Sequence, residues 1–178
     1  MRPIKAAVAC LGSGHFAVKS NPQVGALQAA VLNGHEGIRV RSSIYDRLRI
    51  GITFQYVVVT AEGERGPYRC SIRAYIFDIK TDGQADIINY HWHPLSLVSS
   101  DLKPHMHVGE AFIKQTGKLH VPTPRLSAEQ ALMAAIDSFG AIPKVDDWRS
   151  TMEDSHSVHV EWRDWHDRSD APESFPGH

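Results

Sequence analysis

The alternation of apolar and polar positions predicts β-strands through the middle of the chain. Runs that are β-branched and aromatic, or that alternate between apolar and polar residues, are typical of strands. They lie at residues 54–60, 68–79, 85–93, 105–114 and 119–121. Most of the connections between them are short, so we expect consecutive strands to pair as a mostly antiparallel sheet. In 68–79 the alternation predicts that Cys70, Ile72, Ala74 and Ile76 face the core.

Two helices are predicted after the strands. Ser127 and Gln130 have the spacing of a capping box, and Gly140 is placed to end the helix that follows. A second helix is predicted to start near residues 146–147. Its apolar stripe has helical spacing and consists of Trp148, Met152, Ser155, His159, Trp162 and His166.

The first fifty residues carry a weaker signal. Glycines interrupt short apolar runs, and Pro22 is placed to open a short helix over residues 24–32, closed by Asn33-Gly34. The sequence therefore predicts one α+β domain over residues 1–166, followed by a disordered tail at 167–178. The domain is expected to hold a mostly antiparallel sheet of about four to six strands, with two C-terminal helices packed on one face.

Composition narrows the class of protein. The chain has 178 residues, 42% of them hydrophobic, which is enough for one core. A net charge of −1 and a pI near 6.8 argue against binding nucleic acid mainly through a basic surface. Two cysteines make no disulfide framework. The apolar run before Cys10 is too short for a secretory signal, and none reaches the length of a membrane span. These features predict a soluble cytoplasmic protein.

Histidine is the compositional oddity, because five of the 11 histidines fall between residues 91 and 120. His91 and His93 are two apart in a predicted strand, as are His105 and His107 in the next, so each pair shares a face. A register that places His93 opposite His105 also places His91 opposite His107. Directly opposed side chains share a face with Cβ atoms roughly 5 Å apart, so four imidazoles would form a square.

The position of His120 is harder to predict. A turn at residues 116–117 would place it opposite Ile113, on the same face but six residues along the strand from His107. At about 3.4 Å per residue, this is far from the square unless the sheet curls.

Three interpretations of the histidines stay open. In the first, His105, His107 and His120 hold a divalent transition metal such as zinc, manganese, iron or nickel, with Asp101 or Glu110 nearby. In the second, no metal binds; His91 and His93 act as general acid and base. Arg125 and the N-terminus of the helix at Ser127 would then form the anion site. In the third, the histidines are only structural.

Residues 90–148, about a third of the chain, carry motifs of a known pattern. They read His91-Trp92-His93-Pro94, then Pro104-His105-Met106-His107-Val108-Gly109, then His120-Val121-Pro122-Thr123 with Arg125. This pattern resembles a group of bacterial proteins and implies no particular activity. It is also similar to the TumE-type toxins of toxin–antitoxin systems, which carry strand-borne aromatic and histidine residues before a Pro-His segment. His105, His107 and Glu110 approach the first cupin metal motif, but the spacing is shorter and the second motif is absent.

These observations lead to two hypotheses about function. The first is a small histidine-centred hydrolase or nuclease, with or without a metal, that acts on a phosphate ester, an RNA or a nucleotide. The alternative is a non-enzymatic interaction protein, such as a toxin–antitoxin or immunity partner. Tryptophans at helical spacing near the C-terminus predict a homodimer or a protein partner that contacts the last helix.

Overall fold

The computed structural model describes residues 2–18, 21–61, 66–94, 103–109 and 119–162. The strands are β1 Phe16–Val18, β2 Leu27–Leu32, β3 Ile38–Ser42, β4 Asp46–Thr60, β5 Tyr68–Thr81, β6 Asp86–Trp92, β7 His105–Val108 and β8 Leu119–Pro122. The helices are α1 Arg2–Ala9, α2 Ala128–Asp137 and α3 Trp148–Trp162, and a 3-10 turn covers Asn33–His35. The predicted tail at 167–178 lies outside the described residues.

Within the described ranges, eight strands form one antiparallel sheet in the order β1-β2-β4-β5-β6-β7-β8, with β3 also paired to β4. The long strand β4 organises this sheet. It pairs with β5 along one edge, while its other edge takes β3 at its start and β2 further on. The predicted α+β class, antiparallel sheet and two C-terminal helices are confirmed. The strands outnumber the predicted four to six because the N-terminal region supplies three.

One of those N-terminal strands replaces a predicted helix. The sequence predicted a short helix over residues 24–32, opened by Pro22 and closed by Asn33-Gly34, and its alanines and leucines also favour a helix. Instead β2 pairs with β4, and alternate side chains, including Ala30 and Leu32, are completely buried. Burial against a neighbouring strand therefore outweighs the helix preference of these residues.

The helices cover one face of the sheet, and the core lies between them. Tyr75, Phe77 and Ile79 of β5 are each at most 1% exposed, and the Tyr75 and Phe77 rings stack at 4.5 Å. They pack with apolar side chains from each helix, including Val8, Leu132 and Met152. The prediction that Cys70 and Ile76 face the core is wrong, since both are exposed. The neighbouring aromatic residues bury more area and decide which face of β5 turns inward.

Helix α2 begins as the sequence predicts. The Ser127 hydroxyl accepts a hydrogen bond from the Gln130 backbone N–H at 3.2 Å, and the Gln130 side chain accepts one from the Ser127 backbone N–H at 2.9 Å. This reciprocal pair satisfies two N–H groups that have no partner within the helix. After the helix, Gly140 adopts a positive φ of 67°, which is typical of a residue that ends a helix.

Helix α3 packs with its predicted stripe inward. Met152 is fully buried, and the Ser155 hydroxyl, also buried, donates to the Glu129 carboxylate of α2 at 2.7 Å. Val158 and Val160 remain exposed near its C-terminal end. The side chain of Trp162 and the whole of His166, the last two members of the predicted stripe, lie outside the described residues. No helix in the described part of the chain has the length and apolar character needed to cross a bilayer.

Candidate metal centre

Five imidazoles meet on the face of the sheet that the helices leave uncovered. We call them the histidine cluster: His91, His93, His105, His107 and His120. Because side chains alternate along a strand, these rings lie opposite to Trp92 of β6, which packs against Tyr75 in the core. Trp92 therefore faces the helices, while the histidines face away from them.

The pairing of β6 with β7 differs from the predicted register by two residues. His91 lies opposite His105, and His107 lies opposite Asn89. A shift of two residues keeps every side chain on its face, whereas a shift of one would have moved it to the other. The histidines therefore still converge, although as an offset patch and not as the predicted square.

His120 lies closer to the other histidines than the sequence predicted. Strand β8 pairs with β7 so that His120 is directly opposite His107, and the two ring centroids are 4.2 Å apart. The predicted pairing of His120 with Ile113 is therefore wrong. The residue is exposed, so it forms the solvent side of the histidine cluster.

His105 is the centre of the cluster. It is 4% exposed, and its ring centroid lies 4.9 Å from those of His107 and His120 and 5.3 Å from that of His93. Its Nδ1 lies 2.8 Å from the Lys103 carbonyl oxygen. A carbonyl can only accept, so Nδ1 carries the proton and the neutral ring presents a lone pair at Nε2. Metal-binding histidines commonly fix their second nitrogen in this way.

The Nε2 lone pair of His105 is buried and has no hydrogen-bond partner among the described residues. The Nδ1 atom of His93 is in the same state. A buried polar atom that is left unsatisfied costs roughly 1–3 kcal/mol of stability. Two such atoms in a group of imidazoles are what a metal-binding site would be expected to present.

The histidines form two overlapping triads that can hold a metal ion. The inner triad is His91, His93 and His105, and the outer triad is His105, His107 and His120. In each triad the nitrogen atoms that would bind the metal lie within 4.8 Å of one another. Zinc–nitrogen bonds are about 2.0–2.1 Å long, so small side-chain rotations must bring these atoms closer around an ion.

Burial and neighbouring imidazoles favour the neutral form of His91. Its removal from water, together with His107, His105 and His93 beside it, lowers the pKa of His91 to about 4. The ring is therefore unprotonated near neutral pH. Since a protonated imidazole cannot bind a metal, the low pKa keeps the His91 side chain available as a ligand.

Asn89 is a polar neighbour of the cluster that the sequence analysis did not select. It lies opposite His107 on one side and Asp78 on the other, and it is 9% exposed. Its Oδ1 atom is buried and accepts no hydrogen bond within the described ranges. The signal was present in the sequence, because Asn89 is two residues before His91 and so shares its face.

Arg125 is separated from the histidine cluster. Its guanidinium lies 4.0 Å from the centroid of the Trp92 ring, on the face that packs under the helices. The predicted set of His91, His93 and Arg125 is therefore not brought together on one face. Two carboxylates proposed as further ligands, at positions 101 and 110, lie outside the described residues.

Comparison of the chain with protein families, curated proteins and solved structures finds no match. The resemblances to a bacterial group and to TumE-type toxins therefore stay predictions. What the geometry offers is an all-imidazole group of ligands, with one buried member at its centre and one exposed member at its edge.

Proposed function

We propose that this protein is a metal-dependent hydrolase of phosphodiesters, a small nuclease whose metal is held by the histidine cluster. The observation that supports this most strongly is the buried lone pair of His105 at the point where both triads meet. An ion at that point would satisfy the lone pair and offset the cost of burying it.

The ligand set favours particular metals. Both triads consist of imidazoles alone. Imidazole suits zinc, nickel and iron, whereas manganese prefers carboxylate and water oxygens. We therefore expect zinc, nickel or iron in the histidine cluster, and zinc serves as the probe below.

The outer triad has the better position for a reaction. Its member His120 is exposed, so a substrate can approach from that side, while the inner triad lies deeper in the sheet. A divalent metal supplies positive charge for phosphoryl oxygens and makes water a nucleophile near neutral pH. Asn89 lies opposite His107 and shares its face of the sheet, so it is the polar neighbour of this ligand on β6.

Proton transfer falls to the remaining histidines. Hydrolysis adds water across a P–O bond, so one group takes a proton from water and another returns one to the leaving oxygen. His91 and His93 are beside the outer triad, with ring centroids 4.6 Å from His107 and 5.3 Å from His105, respectively. Arg125 has no part in this proposal because it packs on the opposite face.

The test compares metal content with hydrolysis in the full chain, purified without a polyhistidine tag. We expect bound transition metal by elemental analysis and metal-dependent cleavage of bis(p-nitrophenyl) phosphate. His120→Ala should lose cleavage but can still bind the ion in the inner triad, because it removes the exposed ligand of the outer triad without opening the core. His15→Ala is the matched control, since His15 is an exposed histidine remote from the cluster.

Three results would count against this function. The protein could contain no metal and bind no added zinc. Alternatively, cleavage could survive complete chelation, which would favour metal-free acid–base chemistry by His91 and His93. Finally, His120→Ala could behave like His15→Ala in both measurements, which would remove the outer triad from the mechanism.

A non-enzymatic partner protein is the competing function. The exposed Val158 and Val160 near the C-terminal end of α3 favour it, because apolar side chains left in contact with solvent are available to a partner. We expect sedimentation at two protein concentrations to show self-association through α3, and Val158→Asp with Val160→Asp to remove it. A monomeric mass throughout would eliminate the homodimer.

A further inference from the structure

A hairpin formed by β3 and β4 carries four arginines on the same face as the histidine cluster. Its register pairs Arg39 with Arg49 and Arg41 with Arg47, and we call these four residues the arginine cluster. Alternate residues Ile38, Val40, Leu48 and Ile50 are buried in the core. The arginines therefore project from the face that the helices leave uncovered, which is also the face of the histidine cluster.

The arginine cluster carries positive charge that its surroundings compensate only in part. Asp82 forms ion pairs with Arg39 at 3.0 Å and with Arg49 at 3.6 Å. Arg41 and Arg47 are exposed, and the described residues give neither an ion pair. Like charges directly opposite one another destabilise a sheet. This arrangement costs stability at two successive arginine pairs. We therefore expect it to bind an anionic ligand.

The geometry points to a ligand larger than a single phosphate. A surface cavity of about 350 Å³, lined in part by Ser13 and Asn33, opens beside Arg39 and Arg49. From there the open face continues through Lys80, which is opposite Arg49 and forms an ion pair with Asp86 at 3.2 Å, and across β5 and β6 to the histidine cluster. Three steps between neighbouring strands, from β4 to β7, span roughly 14 Å across the sheet, and the offset between Lys80 and Ile76, which lie opposite Arg49 and His91, adds roughly 13 Å along the strands. An anion in contact with both clusters must therefore be an extended chain.

We propose that the arginine cluster binds the phosphate backbone of a single-stranded nucleic acid that extends across the open face to the histidine cluster. This proposal rests on the phosphodiesterase function above, which requires a phosphodiester at the histidines. Arginine suits the role because its planar guanidinium donates two parallel hydrogen bonds to a phosphate. Contacts of this kind fix the position of the backbone and read no base sequence, so binding is expected to be insensitive to sequence.

The net charge of the whole chain gives no indication of this basic surface. A net charge of −1 argued against a protein that binds nucleic acid mainly through a basic surface. Net charge is a sum over the whole chain, whereas a ligand meets one face of the folded protein. The pairing of β3 with β4 brings four arginines together that the sequence spreads over eleven positions, from 39 to 49.

The test measures binding of a fluorescent uridine dodecamer by anisotropy, with a chelator present so that no metal-dependent cleavage occurs. Arg41→Ala with Arg47→Ala is expected to weaken binding about tenfold at low salt. The slope of log affinity against log salt should fall by about 0.7 for each lost contact. Lys5→Ala with Lys144→Ala is the matched control, because it removes two exposed positive charges away from this face and should leave binding unchanged.

Three results would overturn the proposal. The wild-type chain could fail to bind the dodecamer, or the Arg41 and Arg47 double variant could bind as the wild type does. A polyglutamate of equal charge could also displace the dodecamer as well as unlabelled RNA does, which would reassign the face to an acidic protein. Because binding is measured without metal, absence of metal from the histidine cluster would remove the proposed reaction and leave this inference standing.

Discussion

The two faces of the sheet differ in character, although adjacent residues of the same strands form them. Tyr75 of β5 lies opposite Trp92 of β6 and packs under the helices, while the next residue, Ile76, lies opposite His91 on the open face. The helix-covered face is apolar and closely packed. The open face carries imidazoles, arginines and aspartates, among them Asp78, whose pKa is raised by burial. A single backbone serves both, because side chains alternate across a strand.

The difference shows how this fold separates stability from chemistry. The apolar face fixes which side chains of each strand point inward, because a register shift of one residue would expose Tyr75 and Phe77. The imidazoles then converge without contributing to the core. Substitutions on the two faces should therefore have separable effects, and each prediction below tests that separation.

The largest effect is expected on the helix-covered face. Phe77 is 1% exposed, stacks on Tyr75 and meets the Phe54 ring edge-on at 5.6 Å. Phe77→Ala should lower the free energy of unfolding by about 3–5 kcal/mol in a urea titration, because it leaves a cavity. Its neighbour Ile76, 37% exposed, is the control, and Ile76→Ala should cost much less. Equal losses would show that the faces do not divide as described.

The next effect concerns metal on the open face. If zinc binds the folded chain alone, an excess of about 100 times its Kd should raise the free energy of unfolding by about 2.7 kcal/mol. His120→Ala should reduce this gain, because it leaves only the inner triad, while the metal-free stability stays close to that of the wild type since His120 is exposed. His15→Ala should retain the gain. A similar gain in all three proteins would indicate binding elsewhere.

A smaller effect should appear on acidification of the metal-free protein. Burial and its neighbours lower the pKa of His91 to about 4, compared with 6.5 when the residue is unperturbed. Between these values the unfolded chain binds more protons than the folded one, so stability falls as pH drops from 6.5 towards 4. Partial exposure of the ring should moderate the loss. In urea titrations, His91→Gln should flatten this dependence, and an unchanged dependence would exclude His91 as its source.

The smallest effect has the opposite sign. Arg41→Glu would place a carboxylate opposite Arg47 and replace a repulsive pair with an attractive one. We expect a gain of about 0.2–1 kcal/mol in the free energy of unfolding, measured in urea. The same variant should bind the uridine dodecamer more weakly. A gain in stability without loss of binding would show that this arginine pair does not contact the nucleic acid.

Local patterns in the sequence predicted much of the fold. The capping box at Ser127 depends on groups three residues apart, and the alternation around His91 and Trp92 depends on neighbours in one strand. Both are confirmed because they are set by local geometry. The aromatic residues of β5 override the simpler apolar alternation that placed Ile76 inside.

Long-range pairing could not be predicted in the same way. Twelve residues separate β6 from β7, more than a tight turn contains, so the length of the connection does not fix the register, and His91 pairs with His105 instead of His107. His120 reaches the cluster through the pairing of β8 with β7, which no local pattern indicates. The arginine cluster was missed because the β3–β4 hairpin lies in a region whose apolar runs are weak.

The hydrogen bond from His105 to the Lys103 carbonyl has a consequence for stoichiometry. With Nδ1 committed, this ring has one lone pair to offer, and both triads draw on it. A metal ion bound to one triad therefore takes His105, which is also the central ligand of the other triad. The five imidazoles should then be saturated by a single equivalent of zinc, and the two triads would be alternative binding sites for the same ion.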